Sequence, residues 1–228
     1  MNSMYQQLMR LPLFQGVSTE KITALVEKLP FHFLKYRNEE QILAVGDPCT
    51  HVRFIVSGSV RLSMPFNHLR VTLKQTLSTP HVLAPDYLFG RDTVYPFTAV
   101  ADGPCGILQL TKGDYIKVIN SDKVFLFNIL NYLSSGSQRS ISSALSVKDG
   151  SVPERLAILV DTLVAMGATD VSLVFKQKDL CSLLGTQRMT LMAALDKLTD
   201  MDILDYDSNE LHILDLRGLL EFNKKNEQ

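Results

Sequence analysis

The residues with the clearest capacity for chemistry lie in the last sixty positions. The run Gln177-Lys178-Asp179-Leu180-Cys181-Ser182-Leu183-Leu184-Gly185-Thr186-Gln187-Arg188-Met189-Thr190-Leu191-Met192-Ala193-Ala194-Leu195 reads as two short helices around a turn. The first covers about 176–184, with Leu180, Leu183 and Leu184 on its apolar side. Gly185 stands where that helix must stop and the chain must turn, a position that often needs left-handed backbone. Thr186 is expected to cap the second helix. That helix has Leu191, Leu195 and Leu198 at i, i+4 and i+7, an inward stripe. Its other face carries Gln187, Arg188, Met189, Met192 and Ala193. A helix-turn-helix lays the start of its second helix in the DNA major groove. Arg188 is then placed to fork onto guanine O6 and N7. Thr190 and the helix N-terminus are placed to reach phosphates. The candidate DNA-contacting set is therefore Thr186, Gln187, Arg188, Met189, Thr190, Met192 and Ala193. Cys181 falls where the helices cross and is expected to be packed there.

Enzymatic chemistry has no comparable signal. The chain lacks a Walker loop, an H-E-x-x-H pair, a G-x-S-x-G elbow and a Rossmann glycine pattern. Cys49 and His51, two apart in a turn-like stretch, do not by themselves form a catalytic pair. The cysteines Cys49, Cys105 and Cys181 are odd in number and far apart, which supports neither a disulfide framework nor a four-cysteine metal site. His32, His51, His68, His81 and His212 are scattered, with no ligand-like pair. No catalytic and no metal-binding residue is expected.

Charge bears on the DNA reading. Lys plus Arg number 23 and Asp plus Glu 24, a net charge of −1, so the chain exerts no global pull on nucleic acid. Between Phe175 and Leu214, four cations (Lys176, Lys178, Arg188, Lys197) face seven anions, a local net charge of −3. Most of those acids lie beyond the second helix. Phosphate attraction should be weak and salt-sensitive. A winged helix used only for protein contacts is the competing reading.

The remaining elements must position this site. Hydrophobic residues make up 46% of the 228, enough for a real core. No run of 18 apolar residues occurs and the N-terminus lacks a signal-peptide pattern, so a soluble, cytoplasmic chain without membrane contact is expected. Residues 1–30 read as helical, with Ser18 or Thr19 as an N-cap and Pro30 as a stop. Over 31–110 apolar residues alternate at period two, as in Val60, Leu62 and Met64 or Val71, Leu73 and Leu77. Turn residues break the runs, which predicts an antiparallel barrel or sandwich. Helix returns over 112–148. There Leu126, Leu130, Leu133, Ser137, Ser140, Ala144 and Val147 recur at spacings of four and three, a seam of about three heptads. A single helix packed on the barrel is the alternative to a dimer seam. Asp149-Gly150-Ser151 is the linker candidate. A helix from Val152 to Met166, with Pro153 in its first turn, and a strand from Val171 to Phe175 follow. Ile203 to Tyr206 and Leu211 to Ile213 read as a hairpin, which makes the helix-turn-helix a winged helix.

In this order the parts resemble the CRP/FNR family of bacterial transcription regulators, over essentially the whole chain. Leu11-Pro12-Leu13-Phe14-Gln15-Gly16-Val17 looks like the family's opening. Gly46-Asp47 and Phe54-Ile55-Val56-Ser57-Gly58-Ser59-Val60-Arg61 are similar to its turn and hairpin, Leu88-Phe89-Gly90 to the start of its phosphate-binding segment, and Leu180 to Leu195 to its helix-turn-helix. The resemblance implies an α+β fold: an N-terminal antiparallel β-barrel, jelly-roll-like and of the cyclic-nucleotide-binding type, over 1–120 with its helical lead; a long dimerisation helix over 121–148; and a winged helix over 149–228. It implies a homodimer reading a palindrome in double-stranded DNA, with RNA polymerase as a further partner. Gly90, Arg91, Thr98 and Ala99 become the candidate effector pocket.

Members that bind cyclic AMP carry an F-G-E motif and, a few residues on, an Arg before a Ser/Thr-Ala pair. The Glu holds the ribose hydroxyl and the Arg the cyclic phosphate. Here the motif is Phe89-Gly90-Arg91, and the phosphate position is Phe97 or Tyr95. Cyclic AMP is therefore not an expected effector, though Arg91 could supply a cation from another position. With no cysteine in residues 1–30 and no paired histidine, neither an iron–sulfur cluster nor a haem is expected. In the second helix, Met189 and Ala193 replace the Glu and second Arg of well-known members, which shifts weight toward contact with thymine methyl groups. An effector-free regulator or a protein-binding adaptor remains the alternative function.

Overall fold

The computed structural model describes residues 2–66, 68–146 and 150–224. The chain forms two compact units: Met1–Arg61 with Leu77–Gly136, and Leu62–Thr76 with Ser137–Gln228.

The first unit opens with α1 (Asn2–Arg10), a 3-10 turn (Pro12–Phe14) and α2 (Thr19–Lys28). Ser18 caps α2, its hydroxyl accepting from the Lys21 amide at 3.5 Å. Leu8, Leu11, Phe14 and Ile22 are buried, and Phe14 meets Phe54 and Phe125 edge-on with centroids 5.9 and 5.7 Å apart. Its strands are β1 (His32–Tyr36), β2 (Gln41–Leu43), β5 (His81–Leu83) and β6 (Thr98–Thr111), with the first part of β3 (His51–Pro65) and the end of β4 (Val71–Ser78), whose remaining residues belong to the second unit. β1 and β2 run antiparallel to β6, β5 antiparallel to β3, and β3 lies beside β6. The result is the expected antiparallel, barrel-like sheet. Gly58 of β3 is required by that pairing. A Cβ there would lie 2.5 Å from the Pro104 carbonyl oxygen, and its φ of +75° already disfavours other residues. Thr111 caps α3 (Lys112–Ser121), accepting from the Asp114 amide at 3.1 Å. The long helix α4 (Lys123–Ser146) follows. Val147 of the predicted seam and Asp149 of the predicted linker lie outside the described residues.

The second unit holds α5 (Val152–Leu163), β7 (Thr169–Phe175), α6 (Gln177–Leu183), α7 (Arg188–Asp200), β8 (Leu204–Tyr206), β9 (Glu210–Ile213) and α8 (Leu216–Lys224). β8 and β9 form the predicted wing, and β9 pairs with β7. The tip of the β3–β4 hairpin completes this sheet. Val71 pairs with Phe175 and Leu73 with Leu173 of β7, so an alternation that reads as barrel strand is satisfied against the winged helix. Gln75 is buried there with both amide ends used: it donates to the Leu163 carbonyl at 3.3 Å and accepts from the Ala165 amide at 2.8 Å. Those bonds satisfy groups at the C-terminal end of α5 that the helix itself leaves open. Lys74 reaches the Glu210 carboxylate at 3.1 Å. Pro153 sits in the first turn of α5, where its missing N–H costs nothing.

Candidate functional site

In the second unit, α6 ends at Leu183 and Gly185 takes the left-handed turn, φ +57°. The Thr186 amide closes that turn on the Cys181 carbonyl at 2.9 Å. α7 then begins at Arg188, with Gln187 at the N-cap and no side-chain cap bond. Thr186 is therefore not the cap: its backbone is spent on the turn and the helix starts one residue later. Cys181 is half-buried rather than enclosed.

A residue that the motif does not contain fixes this turn. Arg155 of α5 donates from Nη1 to the carbonyls of Leu184 at 2.7 Å and Gly185 at 3.0 Å. Those carbonyls end α6 and have no helical partner, so a cation there is favourable twice over. Nothing local marks Arg155 in sequence, because its partners lie 29 and 30 positions away. The only trace is a cation interrupting the apolar face of α5.

Leu191, Leu195 and Leu198 are buried as their spacing predicts. Gln187, Arg188, Met189, Thr190 and Ala193 are exposed, Met189 at 81%. Thr186 and Met192 are half-buried, and the Met192 sulfur lies 3.4 Å from Gln177 Nε2. The outward face is thus narrower than the predicted set. Of the cations in this region, Arg188, Lys176, Lys178 and Lys197 are exposed and make no ion pair within the described residues. Many of the acids are committed to structure. Asp207 accepts from the amides of Asn209 and Glu210, each at 2.8 Å, and those bonds hold its carboxyl below the usual range. Asp205 takes the Tyr206 amide at 2.8 Å, and Asp179 the Arg70 amide at 3.3 Å. Asp196 bonds the Tyr206 hydroxyl, which raises that phenol's pKa. Four of the seven acids, Asp202, Asp205, Asp207 and Glu210, lie beyond α7, while Asp196 and Asp200 are exposed in its second half, away from Arg188 at its start.

In the first unit the segment from Ala84 to Ala99 is closed by its own packing. Leu88 and Tyr95 are buried, Tyr95 at 1% exposure and Phe97 at 6%. Tyr95 is tied to the Gly46-Asp47 turn at both backbone ends: its carbonyl accepts from the Gly46 amide and its amide donates to the Asp47 carbonyl, each at 2.9 Å. Its hydroxyl donates to the His51 carbonyl at 3.0 Å and accepts from Arg53 Nη1. Burial drives the phenol far above its ordinary pKa. Phe89 stacks on Tyr115, and Lys112 Nζ sits over the Phe89 ring, 4.8 Å from its centroid. Among the predicted pocket residues, Arg91 is exposed, Gly90 has open space where a Cβ would be, Thr98 accepts from the Val45 amide at 3.2 Å, and Ala99 is buried. No side-chain hydrogen bond joins these four within the described residues.

On α4, Leu126 and Leu130 are exposed at 40% and 49%, Phe127 and Ile141 are also exposed, and Leu133 is half-buried. Ser137 and Ser140 are exposed. Phe125 and Ile129 face inward.

Residues 33–122 match the family model of the cyclic nucleotide-binding domain. Among solved structures, the chain is similar to the catabolite activator protein of Thermus thermophilus: 19% identity, TM-score 0.50, covering 94% of this chain and 99% of that one. It also aligns with a mutant of CooA from Carboxydothermus hydrogenoformans (18% identity, TM-score 0.48, 88% and 90% covered) and with FixK2 from Bradyrhizobium japonicum (18% identity, TM-score 0.46, 86% and 98% covered). Comparison with curated protein sequences gives no match. In fold, the chain is similar to the Thermus thermophilus activator: a cyclic-nucleotide-binding-type barrel with a helical lead, a long helix and a winged helix.

The domain's usual ligand does not fit these residues. A cyclic nucleotide needs an acceptor for its ribose hydroxyl and a cation for its phosphate. The position that the resemblance assigns to the acceptor holds the exposed cation Arg91, and its two candidates for the phosphate position, Tyr95 and Phe97, are buried aromatics.

Proposed function

We propose that this chain is a sequence-specific, DNA-binding transcription regulator of the CRP/FNR type, cytoplasmic and without enzymatic activity. The observation that carries the reading is the outward face of α7. Gln187, Arg188, Met189, Thr190 and Ala193 are exposed on a helix whose entry turn is held by Arg155, while its leucines are buried. A helix with an exposed N-terminal turn suits major-groove entry. Arg188, free of ion pairs within the described residues, reads guanine, and Met189 and Ala193 touch thymine methyl groups.

The regulator works as a homodimer through α4. Leu126, Leu130 and Leu133 present an apolar stripe and Ser137 and Ser140 allow close approach farther along. A two-fold axis then sets half-sites about 34 Å apart on a palindrome. RNA polymerase is the further partner the family resemblance implies. The barrel takes a small-molecule effector other than cyclic AMP, which shifts the dimer between two geometries by binding one better.

The test is selection of bound sequences from a random DNA pool, at roughly 50–100 mM salt, where phosphate contacts still contribute. A two-fold symmetric motif with half-sites about one helical turn apart is expected. Recovery of unselected sequences by a chain that sediments as a monomer turns the reading toward the second one, a protein-binding adaptor, which the local net charge of −3 favours.

A further inference from the structure

Arg53 of β3 is a half-buried cation with no carboxylate paired to it among the described residues. Its Nη1 donates to the Tyr95 hydroxyl, and its guanidinium lies 5.4 Å from the centroid of that ring. Its Nε is buried and has no hydrogen-bond partner, and its Nη2 makes no hydrogen bond within the described residues. Arg53 is not ion-paired to a carboxylate there either, and neither is Lys112. The nearby groups cannot neutralise it. Tyr95 is a buried phenol, and Cys49 and Cys105 are buried thiols. Burial raises the pKa of Cys49, Cys105, Tyr36 and Tyr95, so all four stay uncharged at neutral pH. Acids close in sequence are used elsewhere: Glu40 accepts the Arg37 amide, Asp47 the Ala44 amide, and Asp114 the Lys117 ammonium and Thr111 hydroxyl.

A buried N–H of a charged group with no acceptor is costly. The unpaired edge is also specific. With Nη1 on Tyr95, the free donors are Nε and Nη2, the coplanar fork that matches two oxygens of one carboxylate. Lys112 is a second cation of the same unit. It acts on the same Cys49 thiol as Arg53 does, and its ammonium rests on Phe89, six residues before Tyr95.

We propose that Arg53 is the anchor of an effector site for a small organic carboxylate, held by the Nε–Nη2 fork and set beside the Leu88–Phe97 segment, with Lys112 adding long-range attraction. Arg91, exposed and outside this cluster, is not its cation. The site rests on the reading of the barrel as an effector domain. It replaces the missing phosphate cation of the cyclic nucleotide pose with a cation on another strand. Ligand binding would act on Tyr95, which already ties β3, the Gly46-Asp47 turn and the approach to β6 together.

The experiment is a thermal-shift and calorimetric titration of the full chain with benzoate, its uncharged isostere benzamide, and inorganic phosphate, on the wild type and on Arg53→Met and Arg53→Lys. The expected result is that benzoate raises Tm and benzamide does not. Arg53→Met should lose about tenfold or more in benzoate affinity, the least that one charge-assisted hydrogen bond supplies. Arg53→Lys should recover part of it. Ligand-free Arg53→Met should melt no lower than the wild type, because it removes an uncompensated charge and keeps the stem. A benzoate response that persists in Arg53→Met, a response to phosphate alone, no response to benzoate, or a ligand-free Arg53→Met that melts well below the wild type each overturns the proposal. Failure of the regulator reading would register separately, as absence of DNA binding by the wild type whatever benzoate does.

Discussion

Tyr95 and Arg188 both stand out in the sequence, one in the segment that the family resemblance assigns to a phosphate and the other at the start of the second helix of the helix-turn-helix. The barrel-like unit turns Tyr95 inward, bonds its hydroxyl to Arg53 and His51 and leaves it 1% exposed. The winged-helix unit leaves Arg188 exposed and unpaired within the described residues. The same contrast holds for their neighbours. Phe97 and Ala99 are core, while Gln187, Met189, Thr190 and Ala193 are surface. A family motif position filled by a large aromatic becomes part of the packing, and any chemistry there must be supplied by another side chain. A helix face kept bare of apolar contacts is available for a partner. Substitutions in the two units should therefore separate stability from binding.

Arg188→Ala should have the largest effect, and it should be on DNA alone. Losing a bidentate guanine contact costs about 1–3 kcal/mol per half-site, so about 2–6 kcal/mol on a palindrome bound by a dimer. Preference at one base pair per half-site should relax, while the unfolding free energy stays within about 0.5 kcal/mol of wild type. Gel-shift titration against the selected sequence, paired with urea unfolding, checks both halves. An unchanged DNA affinity would put the exposed face of α7 to another use.

Tyr95→Ala should show the reverse. Deleting a fully buried aromatic costs about 3–5 kcal/mol of stability, and two hydrogen bonds go with it. Its imprint should be a lower Tm, with intrinsic DNA affinity retained at temperatures where the variant is folded. If the variant melts like the wild type, the segment is not packed as described and the contrast between the units breaks.

Arg155→Met sharpens the comparison within the second unit. It keeps much of the stem but removes the bonds to Leu184 and Gly185. A hydrogen bond to a charged group contributes about 1.5–3 kcal/mol, and the loss should appear locally. Amide exchange of Thr186 to Met189 should quicken ahead of β7 and α5, and DNA affinity should fall less than in Arg188→Ala. Uniform acceleration across the unit would make Arg155 a general packing residue instead.

The smallest effect concerns acid. Asp207 holds its carboxyl low through the Asn209 and Glu210 amides, and Asp122 through Lys21 and the Val124 amide. A depressed carboxylate stabilises the folded state above its unfolded pKa, about 3.9 for Asp, and that stabilisation fades as pH falls through the lower folded value. Asp207→Asn should thus be the less stable protein at neutral pH, and its deficit should shrink below pH of about 3.9. Urea midpoints across that range test it; a deficit independent of pH would remove the wing's carboxylate from the account.

Local physics made much of this molecule legible in its sequence. The i, i+4, i+7 stripe of Leu191, Leu195 and Leu198 sets the buried side of α7, and so the exposed side that contains Arg188. Gly185 must turn left-handed because the helix before it has to end there, and it does. Ser18, Pro153 and the α8-proximal hairpin follow from capping and turn chemistry, which act over three or four residues. What the tertiary structure alone decided involves partners far apart in the chain. The alternation of Val71 and Leu73 specifies a strand but not its neighbour, and it is β7, about a hundred residues on, that supplies one. Arg155 gains its place from two carbonyls of the turn after α6, and Thr186 loses its predicted cap because α7 starts one residue later, with Gln187 at the N-cap. Arg53 reads in sequence as one more strand residue. Only folding brings it against Tyr95, 42 positions away, and leaves half of its fork buried without a partner. Periodicity encodes which face of an element is apolar; it carries no information on which distant group will meet that face, because pairing is set by the closure of the whole chain.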